Sequence, residues 1–304
     1  MKRKYMIIVL MAGALELTGC SQGTSNSAKN GTTGSENTII SESDIAILDT
    51  EDMFTERDRD TEYDESECTA ISLSDEETKC DSDGVKMDGQ TVTITEGGTY
   101  LLTGSLSNGS VVVDTDKTEK VQLILENVSI INEEGAGICV EQADKVFITL
   151  ADGSTNKIVS NSFTGNEDTN IDGAIFSRED LTLNGSGTLK ITSAAHGIVS
   201  KDDLVLTGGV YQIQSEKQGL SGKESVRIAD ETFTITSGTD AIHSEDTDED
   251  TKGFVYITGG VLTLAAGGDG ISSSYVVQAD GGSFDISTSS TETDTSTKGI
   301  KAQK

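Results

Sequence analysis

Short stretches in which apolar and polar residues alternate recur along this chain at a nearly constant interval. A small residue followed by an aliphatic one appears as Gly137-Ile138, Ala174-Ile175, Gly197-Ile198, Gly219-Leu220, Ala241-Ile242, Gly270-Ile271 and Gly299-Ile300. From Ile175 onward the steps are 23, 22, 22, 29 and 29 residues. Each unit then carries a second alternating run, as in Leu204 with Leu206, Val226 with Ile228 and Val255 with Ile257. A third run follows, as in Tyr211 with Ile213, Phe233 with Ile235, Leu262 with Leu264 and Phe284 with Ile286. A period of two marks half-buried strands, and the pairs Gly208-Gly209, Gly259-Gly260 and Gly281-Gly282 mark the turns between the second and third of them.

Three short strands per repeat of about 22 residues, without a helix long enough for a crossover, predict an all-β solenoid. Each coil stacks its strands on those of the next, which is a parallel β-helix. A sandwich would need regularly placed two-residue hairpin turns, and these are missing. At about 4.8 Å per coil, roughly nine coils make a rod on the order of 45 Å long. The column Tyr211, Phe233, Leu262, Phe284 is then expected inside the rod, stacked coil on coil, and not on its surface as a sugar platform.

Composition narrows the partners. The 304 residues hold 52 Asp and Glu against 22 Lys and Arg, a formal charge of −30, which excludes a nucleic-acid backbone as ligand. The sequence has no Trp, which argues against the aromatic platforms of many cellulose binders. At the N-terminus, Lys2, Arg3 and Lys4 precede an apolar stretch from Tyr5 to Leu15 and then Leu17-Thr18-Gly19-Cys20, the layout of a secretory signal. It resembles a bacterial lipoprotein signal, which implies lipidation of Cys20 and a protein held on the outer face of the cell membrane by that anchor alone. The expected organisation is a signal over residues 1–20, an acidic Ser/Thr-rich tether over 21–53 and the β-helix over 54–304. Of the remaining cysteines, Cys68, Cys80 and Cys139, at most one intramolecular pair can form, and Cys68 with Cys80 is left open.

Stacking brings sequence-distant residues into surface columns. Arg178, Lys201, Lys223, Glu245 and Ser274 form one, and Glu179, Asp202, Glu224, Asp246 and Tyr275 the next, so solvated salt bridges are expected between them. The basic members Arg178, Lys201 and Lys223 are also candidates for substrate contact, as is Tyr256 on an outward strand position. The position before each small–aliphatic pair gives His196, Gln218, Asp240, Asp269 and Lys298. Two carboxylates one coil apart repel by about 3.5 kcal/mol at an effective dielectric near 20, so Asp240 and Asp269 need solvent, a proton or a cation. Beside them the insertion Glu245-Asp246-Thr247-Asp248-Glu249-Asp250 offers hard oxygen ligands at alternate positions, Asp246, Asp248 and Asp250, which suit calcium. Asp168-Thr169-Asn170-Ile171-Asp172-Gly173 followed by Glu179 fits the EF-hand loop pattern, although a strand follows where an EF-hand needs a helix. Asp168, Asn170 and Asp172, with Glu179 as a further ligand, are therefore a second candidate calcium set.

The segments from Ile175 to Gly187, Gly197 to Leu204 and Ala143 to Leu150, with Arg57-Asp58 and Tyr63-Asp64-Glu65 upstream, resemble the clostridial carbohydrate-binding lipoproteins first described as binding cellulose and polygalacturonate. The resemblance runs from about Phe54 to the C-terminus. It implies a right-handed parallel β-helix, similar in shape to calcium-dependent pectate lyases, that binds calcium and plant cell-wall acid sugars without an established catalytic activity. Members usually have Asp before the Gly-Ile pair, which Asp240 and Asp269 keep and His196, Gln218 and Lys298 do not; Asp230-Glu231 likewise departs from the Gly-Gly turn.

The expected function is that of a non-catalytic, surface-anchored polysaccharide binder, with calcium shared between protein and sugar carboxylates because an acidic body repels an acidic glycan. The alternatives are a calcium-dependent lyase, in which Arg178 or Lys201 takes the proton beside the uronate carboxylate, and an adhesion or scaffold protein that calcium makes rigid.

Overall fold

The computed structural model describes residues 47–163, 170–289 and 296–303. Strands are short and pair in parallel from coil to coil, and the chain folds as the parallel β-helix that the repeat predicts. A ten-stranded sheet opens with the antiparallel hairpin of Val85–Asp88 and Thr91–Ile94 and continues in parallel through the first strands of the coils, ending in the order Gly173–Ser177, His196–Ser200, Leu220–Gly222, Ile242–Ser244, Ile271–Ser273 and Ile300–Ala302. The second and third strands form two further faces, joined into one 15-stranded sheet by the strand Lys120–Asn132. Its first half pairs with the second strand Lys145–Leu150 and its last residues with the third strand Thr155–Ser160. Asn127, at φ 55°, lies between the two halves.

The inward columns are those of the sequence pattern. Ile175, Ile198, Leu220, Ile242 and Ile271 stack in register along the first strands and are fully buried. Tyr211 and Phe233 stack at 4.8 Å with planes 14° apart and continue into Leu262 and Phe284, an internal ladder as expected. The glycine of four of the pairs, Gly137, Gly197, Gly219 and Gly270, answers to an isoleucine of the third strand. A Cβ at Gly219 would lie 2.4 Å from Ile235 Cγ2, and one at Gly270 would lie 2.3 Å from Ile286 Cγ2. The inward isoleucines thus press on the backbone where the chain turns into the first strand.

The Gly-Gly turns place their second residue at positive φ, 104° at Gly209 and 97° at Gly260. Glu231 occupies the equivalent slot, fixed by the register of Val210, Thr232 and Val261, without a positive φ. Its side chain is 1% exposed, and neither carboxyl oxygen has a hydrogen-bond partner among the described residues. Burial pushes this carboxyl up to about 8, with the turn amides of residues 229–231 offsetting part of the rise.

One segment has no repeat character. Residues 47–60 cross the outer face of the second strands as a strap, so the packed chain includes seven residues assigned by sequence to the tether. Leu48 N–H donates to Gln278 Oε1 at 3.0 Å, Met53 packs with Phe254 and Tyr256, and Arg227 donates to the Met53 carbonyl at 3.4 Å. Thr55 caps the short helix Glu56–Arg59 in a capping box with Asp58. Asp58 is 1% exposed, bridges to Lys145 at 2.8 Å and accepts from Thr182 Oγ1 at 2.7 Å. Arg57 lies 4.4 Å over the Phe147 ring and donates to Gln122 at 2.8 Å. Tyr256 does point outward, but the strap buries it to 4% exposure with Phe54 6.0 Å away, and its hydroxyl donates to Asp280 at 2.9 Å. It is corrected from an exposed sugar contact to part of the strap's packing.

Candidate functional site: the charged face of the first-strand sheet

The outer column of the first strands runs Cys139, Phe176, Val199, Ser221, His243, Ser272, Lys301. Its early part is apolar. Phe176 is fully buried among Cys139, Val199, Ala136 and Ile171, with Arg178 and Lys201 at 5.5 and 5.4 Å over its ring. Arg178 also donates through Nε to Glu141 at 2.6 Å, and Lys201 lies 3.7 Å from Asp172. Two of the three cations singled out by sequence, Arg178 and Lys201, are therefore tied into the wall of the rod.

The column His196, Gln218, Asp240, Asp269, Lys298 is built by one repeated device. A side-chain acceptor in one coil takes the backbone N–H one coil on: Gln218 N–H to His196 Nδ1 at 3.3 Å, Asp269 N–H to Asp240 Oδ1 at 2.7 Å, and Lys298 N–H to Asp269 Oδ1 at 2.7 Å. The second carboxyl oxygen meets a cationic or ring group, His243 Nδ1 at 3.0 Å from Asp240 and Lys301 at 3.1 Å from Asp269. This arrangement offsets the expected repulsion inside the protein. Burial pushes the Asp240 carboxyl up, but the bonds from His243 and the Asp269 amide outweigh it and its net shift is downward. His243 Nε2 also lies 3.5 Å from Glu245.

The acidic insertion folds on itself. Asp246 Oδ1 accepts from the amides of Asp248 and Glu249 at 2.7 and 3.0 Å, and Lys223 reaches Asp248 at 2.9 Å and Asp246 at 3.9 Å. Lys252 pairs with Glu224 and Glu249, while Asp250 is exposed. The candidate EF-like loop is described only in part, since Asp168 lies outside the described residues. Asn170 adopts φ 55°. Asp172 faces His196 Nε2 at 3.4 Å, and its Oδ1 is buried without a hydrogen-bond partner among the described residues. Glu179 acts through its backbone, its carbonyl accepting from the Ser177 and Ser200 hydroxyls at 2.6 and 3.0 Å. Among the described residues, no three His, Cys, Asp or Glu side chains gather as a metal set.

Three side chains that shape this face, Asp202, His243 and Lys301, were not among the site residues read from the sequence. Asp202 is pushed up to about 6, by burial first and then by Asp180, Glu224 and Asp203 around it. His243 and Lys301 supply the partners of the Asp240–Asp269 column. The columns predicted these neighbours one coil apart, but not which atom each would meet. Two open depressions, about 270 and 400 Å³, are lined by Cys68, Thr69, Ala70, Asp81 and Ser82 and by Thr95, Glu96, Gly97, Asp116 and Glu119. Neither includes a residue of the charged face. Cys68, Cys80 and Cys139 are free thiols.

A family model described as carbohydrate-binding domain-containing protein matches residues 88–304, most of the rod. The chain belongs to this carbohydrate-binding family. A relative with the same description from Acetivibrio thermocellus is 34% identical over 137 residues, which cover 44% of this chain and 48% of that one. This chain thus spans about half the length of that relative. The solved structure of a polysaccharide lyase-like protein from C. thermocellum, a gadolinium derivative, is similar with a TM-score of 0.72 and 32% identity, over 78% of this chain and 94% of that chain. Family membership makes a polysaccharide the partner to consider for this face and for the rest of the rod.

Proposed function

We propose that this is a non-catalytic carbohydrate-binding protein, held at the outer face of the cell membrane through a lipid on Cys20, that recognises plant cell-wall polysaccharide such as polygalacturonate or cellulose. The observation that carries the reading is the family match over the rod itself, residues 88–304. The state of Arg178 and Lys201 supports the absence of catalysis. A lyase base must reach the sugar and lose its proton, whereas each of these cations faces a carboxylate and covers Phe176.

Calcium enters this proposal as a structural ion in the loop of Asp168, Asn170 and Asp172. Asp172 Oδ1 is buried and makes no hydrogen bond among the described residues, with Lys201 Nζ 3.7 Å away, so a hard cation bound there would take the place of that lysine. Asp240 and Asp269 fit less well, because both oxygens of each carboxylate already have partners within the protein.

Retention of the full chain on polygalacturonate and cellulose matrices, with the supernatant followed for unsaturated products, tests the reading. Retention without product is expected. Product formation would replace it with the lyase, and no retention on any glycan would leave a scaffold or adhesion protein.

A further inference from the structure

The rod presents three long outer faces, and they differ in what occupies them. The second-strand face lies under the strap, and the first-strand face is filled by its own ion pairs. The third-strand face, on Thr155–Ser160, Thr188–Ser193, Val210–Ser215, Thr232–Ser237, Val261–Ala266 and Ser283–Thr288, carries neither. Its central column reads Lys157, Lys190, Gln212, Thr234, Thr263, Asp285 in coil-to-coil register, all exposed. The flanking outward positions are Thr, Val, Gln, Ala and Ser. Asp285 is thus the sole carboxylate among the outward positions of these strands, where the chain's own frequency, 52 acids in 304 residues, would place about three. Lys157 and Lys190 sit on adjacent strands and have no ion-pair partner among the described residues, unlike Lys145, Lys201, Lys223, Lys252 and Lys301.

We infer that this third-strand face is the glycan-docking surface, and that it takes an extended polysaccharide bearing carboxylates, laid along the rod axis with its carboxylates at Lys157 and Lys190. The inference rests on the carbohydrate-binding reading above and adds where and how the sugar is held. Column residues recur about every 4.8 Å, comparable to the advance of one ring in an extended 1,4-linked chain. Thr hydroxyls and Gln amides both donate and accept, as sugar hydroxyls require. β-Branched Thr side chains are stiff at χ1, so little side-chain entropy is lost when the sugar arrives. An acidic protein can then hold an acidic glycan directly, on a long face that carries neither strap nor ion pairs and a single carboxylate among its outward strand positions, and calcium is not needed as a bridge.

The test compares the full chain with the double variant Lys157→Glu/Lys190→Glu on a polygalacturonate matrix in the presence of chelator. A second double variant, Lys86→Glu/Lys117→Glu, changes net charge equally at exposed sites away from the face. Wild type is expected to be retained, the strip variant to bind about tenfold more weakly and the control to match wild type. Thr234→Asp, which adds a carboxylate to the middle of the column, is expected to weaken binding in the same direction. Circular dichroism confirms that each variant is folded. Equal loss in both double variants would overturn the inference in favour of bulk charge. Unchanged binding by the strip variants, or wild-type retention that disappears with chelator, would overturn it while leaving the carbohydrate-binding reading intact. Absence of wild-type retention on every glycan, with or without calcium, would overturn that reading and this inference together.

Discussion

Replacing Glu231 by Gln should stabilise the protein, and by an amount that depends on pH in one direction. The carboxyl sits where neighbouring coils have glycine and is 1% exposed, its oxygens make no well-formed hydrogen bond among the described residues, and burial, only partly offset by the turn amides, pushes it up from 4.5 to about 8. Below pH 4.5 the group is protonated in both folded and unfolded chains and contributes no pH dependence. Between 4.5 and about 8 the unfolded chain releases the proton while the folded chain keeps it, so folding stability falls as pH rises; above 8 the loss is complete. At about 1.4 kcal/mol per pH unit, the gap amounts to roughly 5 kcal/mol as an upper bound, reduced by any local opening that admits water. Gln keeps the shape and an unpartnered polar group but cannot ionise. Thermal unfolding of wild type and Glu231→Gln should therefore nearly coincide at pH 4.5 and separate steadily up to pH 8.5, by about 10 °C for a domain of this size. Other carboxylates titrate equally in both proteins and cancel from the difference. A separation that is the same at both ends of the range would refute the assignment of a buried neutral carboxyl. Glu231→Gly, which allows the positive φ of Gly209 and Gly260, should remove the same pH dependence.

Asp58→Ala should cost about 3–5 kcal/mol in denaturant unfolding by stranding Lys145 and Thr182, and should make the strap the first site of limited proteolysis; an unchanged digestion pattern would contradict the packing described. Because Lys145, Thr182 and Thr55 hold Asp58 below its ordinary range against the opposing effect of burial, its contribution is present above pH 3.8 and is lost as pH falls through the lowered value, which acid titration of wild type against Asp58→Asn can follow. Gly219→Val should cost about 1–3 kcal/mol through its clash with Ile235, whereas exposed Lys86→Ala should leave the melting temperature unchanged. Saturating calcium should raise the melting temperature of the full chain by about 5–10 °C over chelator if it fills the Asp172 loop, and no shift would remove calcium from the account.

The rod was legible because its signal repeats. Ile198, Leu220, Ile242 and Ile271 each announce the same inward position, and the small residue before them records the approach of Ile213, Ile235 or Ile286 from the third strand. The strap gave no such signal. Leu48, Met53 and Phe54 have no period and lie in a run of acids, and their cover over Tyr256 depends on a strand two hundred residues away in sequence. Column membership foretold that Asp240 and Asp269 would be neighbours, but the cost of that closeness is met by an amide and a cation from the following coil, a three-dimensional detail that no spacing encodes. Glu231 was visible as a departure from the glycine turn, while its neutral state follows from the depth of the pocket formed when it takes that slot.

In a solenoid, each repeat feels only its immediate neighbours, so melting can begin at one end and travel coil by coil. The strap breaks that one-dimensional logic. It touches the strand Lys120–Asn132 through Arg57 and Gln122 and the strand Val277–Ala279 through Leu48 and Gln278, two rungs that share no direct contact. A segment made first during synthesis can complete its seat only after the strand carrying Gln278 has been made and stacked. The residues of the strap thus act as a latch that closes on the stack, turning the rungs between Lys120–Asn132 and Val277–Ala279 into a unit that opens together.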